Sequence, residues 1–136
     1  MSALEHSGHY RIHPVHGDPG CITAQDVGQA LHVQPPSTDK NQIWDIRMIE
    51  HDLYHIVLKD KPDFGASTFP GPAPFQAVRL LDRLSAFRLS NAGGPDMLHI
   101  APAETDELTV AMSGGKDVVL TPTDHHGPFA WRFVRA

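Results

Sequence analysis

Apolar and polar residues alternate in short runs along this chain, and most runs end at proline, glycine or asparagine. Ile43-Trp44-Asp45-Ile46-Arg47, Ala86-Phe87-Arg88-Leu89-Ser90 and Ala130-Trp131-Arg132-Phe133-Val134-Arg135-Ala136 each place a large aromatic residue before such a run. This is the period-2 signature of a half-buried strand. Trp44 and Phe87 are 43 residues apart, and Phe87 and Trp131 are 44 apart. A second ladder joins Tyr10-Arg11-Ile12, Tyr54-His55-Ile56 and Leu98-His99-Ile100, with first members 44 residues apart both times. Leu31, Phe75 and Val119 form a third ladder at the same step, and Ile22, Ala66 and Val110 a weaker fourth. A fixed period in this range marks an internally repeated fold.

Four strand-like segments in each of three repeats predict twelve short strands in one all-β domain spanning residues 1–136, with repeats at about 8–50, 51–94 and 95–136. That arrangement is a β-trefoil, a six-stranded barrel closed at one end by three hairpins. One unit cannot bury its apolar face alone, whereas three around a common axis share a core. Tyr10, Tyr54 and Leu98 are expected there, with Trp44, Phe87 and Trp131. Closing the barrel also removes open sheet edges. Turn residues fall between the strands: Gly17 to Gly20, Pro35 to Asn41, Lys59 to Gly65, Phe69 to Pro74, Asn91 to Asp96, Ala101 to Asp106 and Ser113 to Lys116. One stretch admits another reading. Ala77, Leu80, Leu81, Leu84 and Phe87 also fit one face of a helix between Phe75 and Leu89, which would break the repeat.

Composition narrows the function classes. Twelve Pro and eleven Gly suit many turns. The net charge is −5 with no basic cluster, which argues against nucleic acid and an anionic membrane surface as partners. Ten His mean that full protonation carries the charge to about +5 in mildly acidic surroundings. Cys21 stands alone, so no internal disulfide forms. No apolar leader and no long apolar run is present, and the expected location is cytoplasmic.

Catalytic and metal chemistry find little footing. His51 and His55 have the spacing of a helical zinc site, but on a strand four residues span about 13 Å, too far for one ion. His125 and His126 beside Asp124 are read as a solvated loop, and His6, His9, His13 and His16 as a loose cluster; no metal or other cofactor is expected. Val110 to Lys116 lacks the leading Gly of a phosphate loop. Cys21 and His16 have no orienting third group and no oxyanion hole, so Cys21 is read as a small packed side chain and the chain as a non-enzyme. Gln42-Ile43-Trp44 is the Gln-x-Trp tripeptide of ricin-B-like sugar-binding trefoils. Ser85-Ala86-Phe87 and Phe129-Ala130-Trp131 lack the Gln, and all three aromatics are read as core.

Leu4-Glu5, Gly8-His9-Tyr10-Arg11-Ile12, Asp18-Pro19-Gly20, Pro36-Ser37-Thr38, Gln42-Ile43-Trp44 and Ala130-Trp131-Arg132-Phe133 occur in that order along the chain. In these residues it resembles the mycocypins, fungal β-trefoil inhibitors of cysteine proteases that include clitocypin and macrocypin. The resemblance implies a monomer that reversibly occludes the cleft of a papain-like cysteine protease with two neighbouring loops. The first would be His16, Gly17, Asp18, Pro19, Gly20 and Cys21; the second Pro36, Ser37, Thr38, Asp39, Lys40 and Asn41. It further implies a reactive loop between the fifth and sixth strands, here Lys59, Asp60, Lys61 and Pro62, directed at legumain or a trypsin-like protease. Two other classes stay open: a trefoil lectin, and a serine protease inhibitor acting through that third loop.

Overall fold

Strands form where the alternation predicts them. The computed structural model describes residues 8–15, 20–38, 40–123 and 129–136. Twelve strands run through it: β1 Gly8–Pro14, β2 Cys21–Thr23, β3 His32–Gln34, β4 Trp44–Glu50, β5 Leu53–Leu58, β6 Gly65–Ser67, β7 Arg79–Leu81, β8 Phe87–Asn91, β9 Met97–Pro102, β10 Leu108–Ser113, β11 Asp117–Pro122 and β12 Ala130–Arg135. A single turn of 3₁₀-helix, Lys40–Gln42, precedes β4. The stretch that also fitted a helix holds β7 and β8 instead. Ala101 and Pro102, expected in a loop, extend β9.

Six strands pair antiparallel in the cyclic order β4-β1-β12-β9-β8-β5, and β5 returns to β4, which closes a barrel. The hairpins β2–β3, β6–β7 and β10–β11 cap one end. The fold is a β-trefoil. A ring of three backbone hydrogen bonds knits the cap together. Leu31 N–H donates to Val78 O at 2.8 Å, Val78 N–H to Val118 O at 3.0 Å and Val118 N–H to Leu31 O at 3.2 Å.

The core is stacked in threes. Ile12, Ile56 and Ile100; Ile22, Ala66 and Val110; and Leu31, Val78 and Val118 are all buried and surround one shared space. Tyr10, Tyr54, Leu98, Trp44, Phe87 and Trp131 are buried around them, as expected. The two indoles also tie barrel to cap: Trp44 Nε1 donates to Ile22 O at 3.0 Å and Trp131 Nε1 to Val110 O at 2.9 Å. Phe87 fills the corresponding place in the second repeat and has no N–H to offer.

One ladder needs correction. The counterparts of Leu31 are Val78 and Val118, not Phe75 and Val119. Phe75 is 68 % exposed. The β6–β7 connection carries extra chain: twelve residues separate Ala66 from Val78, against nine from Ile22 to Leu31 and eight from Val110 to Val118. A shortened return offsets it, with nine residues from Val78 to Phe87 against thirteen from Leu31 to Trp44. The two changes nearly cancel, so the aromatic period stays close to 44 while the residues between them shift.

Candidate functional site

The Gln of the Gln-x-Trp tripeptide is a staple. Gln42 is 2 % exposed. Its Nε2 donates to Pro35 O at 2.9 Å and to Thr23 Oγ1 at 3.2 Å, while its Oε1 accepts from Ser37 N at 2.8 Å. Arg11 Nη2 reaches Ser37 O at 2.8 Å from the other side. Asn41 is fixed to the residue after β2 in turn: its backbone oxygen accepts from Ala24 N at 2.9 Å, and its Nδ2 donates to Ala24 O. The connection from Pro35 to Gln42 is therefore held at both shoulders while Pro36, Ser37, Thr38 and Lys40 face solvent.

The structure distributes the loop residues expected from the sequence unevenly. Pro36, Ser37 and Thr38 project from this stapled connection, and Lys40 and Asn41 belong to the 3₁₀ turn. Lys59, Asp60, Lys61 and Pro62 form the β5–β6 turn alongside it, with Asp60 Oδ1 4.0 Å from Lys40 Nζ and Lys59 N–H donating to Ile43 O. Gly20 lies against Gln34, so close that a Cβ would overlap the Gln34 carbonyl. Cys21 opens β2 with its side chain fully buried. His16, Gly17, Asp18, Pro19 and Asp39 lie outside the described residues, as do His6, Asp124, His125 and His126.

A different surface opens in the second repeat. Ser85 stands two residues before Phe87, where Gln42 stands before Trp44. Its short side chain reaches only locally: Ser85 Oγ accepts from Thr68 N at 2.9 Å, lies 3.3 Å from Thr68 Oγ1, and donates to Ser67 Oγ at 3.4 Å. Beside it lies a groove of about 390 Å³. Ser67 and Thr68 form a buried hydroxyl floor, and Phe69, Arg83, Ser85 and Glu104 stand on the walls. Phe69 is 48 % exposed and the Arg83 guanidinium lies 4.5 Å from its ring centroid. In the third repeat Phe129 takes the same position, and its ring packs 5.0 Å from that of Trp131. One position thus carries a staple, a gap and a plug in turn.

The groove offers donors from Arg83, an acceptor from Glu104, a hydroxyl from Ser85 and a flat apolar ring. Elsewhere, burial pushes the Cys21 thiol above its ordinary range, an effect that the Arg11 charge partly opposes. His55 on β5 is pulled below the usual histidine range by burial and then by Arg47. His51 lies in the β4–β5 turn beside Asp52 at 3.2 Å, and His13 Nδ1 is 3.0 Å from Gly20 O. Among the described residues no three His, Cys, Asp or Glu side chains converge on a point where a metal ion could sit, and no helix is long and apolar enough to cross a membrane.

No family model and no curated protein sequence matches this chain. Solved structures do. It is similar to the designed threefold-symmetric protein ThreeFoil, with a TM-score of 0.80 at 14 % identity over 95 % of this chain and 99 % of that one. A ricin B-like lectin of Macrolepiota procera in complex with lactose aligns with a TM-score of 0.79 at 16 % identity, covering 98 % and 99 %. The Rhizoctonia solani agglutinin aligns with a TM-score of 0.80 at 11 % identity, covering 96 % of each. At such identities the likeness is one of fold.

Sequence reasoning passed over Ser67, Thr68, Phe69, Arg83, Ser85 and Glu104. The signal was the missing Gln at Ser85. That absence excludes a Gln-x-Trp repeat, and it also leaves space beside Ser67.

Proposed function

We propose that this protein is a carbohydrate-binding trefoil without enzymatic activity, and that a sugar occupies the groove of the second repeat. The observation that carries the reading is Ser85 in the place of the stapling Gln42. Ser85 stands in the wall of a groove of about 390 Å³ that also holds an exposed aromatic ring and a donor–acceptor set, a volume within the usual range for a small ligand. A sugar ring needs such a mixture, with paired donors and acceptors for its hydroxyls and an apolar surface for its C–H face. Two of the structures that share the barrel are a lectin holding lactose and an agglutinin, which supports this class of ligand. Binding of the intact protein to an array of immobilised glycans tests it. The expected result is a restricted set of bound glycans, weakened in Ser85→Gln, whose longer side chain projects into the groove. Binding to none of the glycans by the intact protein overturns the reading.

A second reading has its own support. The Pro35–Gln42 connection is held by Gln42 and Arg11, and a loop ordered before docking loses little entropy when it enters a cleft. Together with the resemblance to the mycocypins, this favours occlusion of a papain-like cysteine protease by a cytoplasmic monomer through residues 16–21 and 36–41. Lys59 to Pro62, next to Lys40, would serve a trypsin-like protease or legumain. A panel of papain, cathepsin L, legumain and trypsin decides it: full activity of all four in a large excess of this protein ends this reading and leaves the lectin reading untouched.

A further inference from the structure

The three hairpins of the cap turn at equivalent positions, Gly28, Phe75 and Gly115. The hydrogen bonds establish the match. Gly28 N–H donates to Leu80 O and Phe75 N–H to Leu120 O, both at 2.7 Å. The following residues repeat each other too: Gln29 O accepts from Leu80 N, Gln76 O from Leu120 N and Lys116 O from Val33 N. All three turn residues adopt positive φ, 88° at Gly28, 64° at Phe75 and 79° at Gly115. Glycine enters this region at little cost, and a bulky residue there is a true outlier. The fold asks for glycine, and the second repeat supplies phenylalanine.

Among the described residues, no core packing of the Phe75 ring offsets that conformation. The Phe75 ring is 68 % exposed and belongs to no core cluster. The loop that presents it is held firmly. Gln76 Nε2 donates back to Thr68 O in the groove floor, and its amide packs under Gly71 so closely that a Cβ there would overlap it. Gln76 N–H also donates to Ala73 O at 3.2 Å, and Pro70, Pro72 and Pro74 each restrict φ. Phe69 and Gly71 of the same loop line the groove. A backbone outlier held in place by its surroundings is a pointer to function, and here it displays an aromatic face one residue from the side chain that braces the groove.

We propose that Phe75 is a second saccharide contact, stacking on the C–H face of a further sugar unit of an oligosaccharide whose first unit sits beside Phe69 and Ser85. This rests on the carbohydrate reading above. A single sugar fills the groove alone; a longer glycan runs along the loop to Phe75.

The test compares the intact protein with Phe75→Gly and Phe75→Tyr. Thermal unfolding reads the strain: Phe75→Gly raises Tm by about 3 °C, because glycine relieves the left-handed turn and little buried area is lost. Titration calorimetry reads the contact, using the best oligosaccharide from the array and its isolated terminal monosaccharide. Oligosaccharide affinity falls about tenfold in Phe75→Gly, is kept in Phe75→Tyr, and monosaccharide affinity is unchanged in both. Equal oligosaccharide affinity in the intact protein and Phe75→Gly overturns this contact and spares the carbohydrate reading. If the intact protein binds no glycan, both fall.

Discussion

Replacing Gln42 with Ala separates a scaffold role for the Gln-x-Trp tripeptide from a role in sugar contact. Gln42 makes three good hydrogen bonds, to Thr23 Oγ1, Pro35 O and Ser37 N. Each contributes about 1 kcal/mol net. Thr23 is buried and cannot recover its lost partner from water, whereas Pro35 and Ser37 are exposed and can do so in part. The expected destabilisation is therefore ~2–4 kcal/mol. A chain of 136 residues unfolds with an entropy of about 0.3 kcal/mol/K, so a loss of ~3 kcal/mol lowers Tm by about 10 °C. Calorimetric and urea unfolding measure it, with the urea slope as a check that the unfolded state is unchanged. Glycan binding at the second-repeat groove should survive in the folded variant. A Tm drop under about 2 °C, or a loss of glycan binding at temperatures where the variant is folded, would refute the assignment of Gln42 as a staple.

Two further outcomes follow from titrating groups. Burial and the Arg47 charge hold His55 below the ordinary histidine range, so the unfolded chain takes up that proton more readily. Its contribution to stability is full above about pH 6.5 and is lost as pH falls below that value through the lower folded-state pKa. His55→Gln should narrow the difference in urea midpoint between about pH 8 and about pH 5, and an unchanged difference contradicts the assignment. Cys21 is fully buried with its thiol pKa raised by that burial. It should ignore an aromatic disulfide reagent at about pH 8 until the protein unfolds; stoichiometric reaction of the native protein would contradict its burial.

The barrel could be read from the sequence because its strands alternate cleanly and its largest residues recur. Trp44, Phe87 and Trp131 are fully buried, and so are Ile12, Ile56 and Ile100; both ladders sit in barrel strands whose spacing the closed sheet enforces. The cap was harder. Leu31, Val78 and Val118 meet on the axis through three backbone hydrogen bonds, but hairpin connections tolerate insertions, and an extra stretch before β7 with a shortened return after it brought Phe75 into false register. The groove was harder still. The missing Gln at Ser85 was visible in the sequence, but a groove depends on what neighbouring loops leave open, which no local pattern shows. Phe75 shows the opposite case: the turn chemistry that glycine satisfies at Gly28 and Gly115 is broken there, and local consistency fails most often where a residue serves something other than the fold.

Backbone amide shifts recorded while a bound glycan is titrated into the intact protein test the central claim most directly. The account predicts saturable shifts centred on Ser67 through Gly71, Arg83 through Ala86, and Glu104, the residues around the groove, reaching Phe75 only when the glycan is an oligosaccharide. Shifts centred instead on Pro36 through Gln42, or no shifts with any glycan, would contradict it.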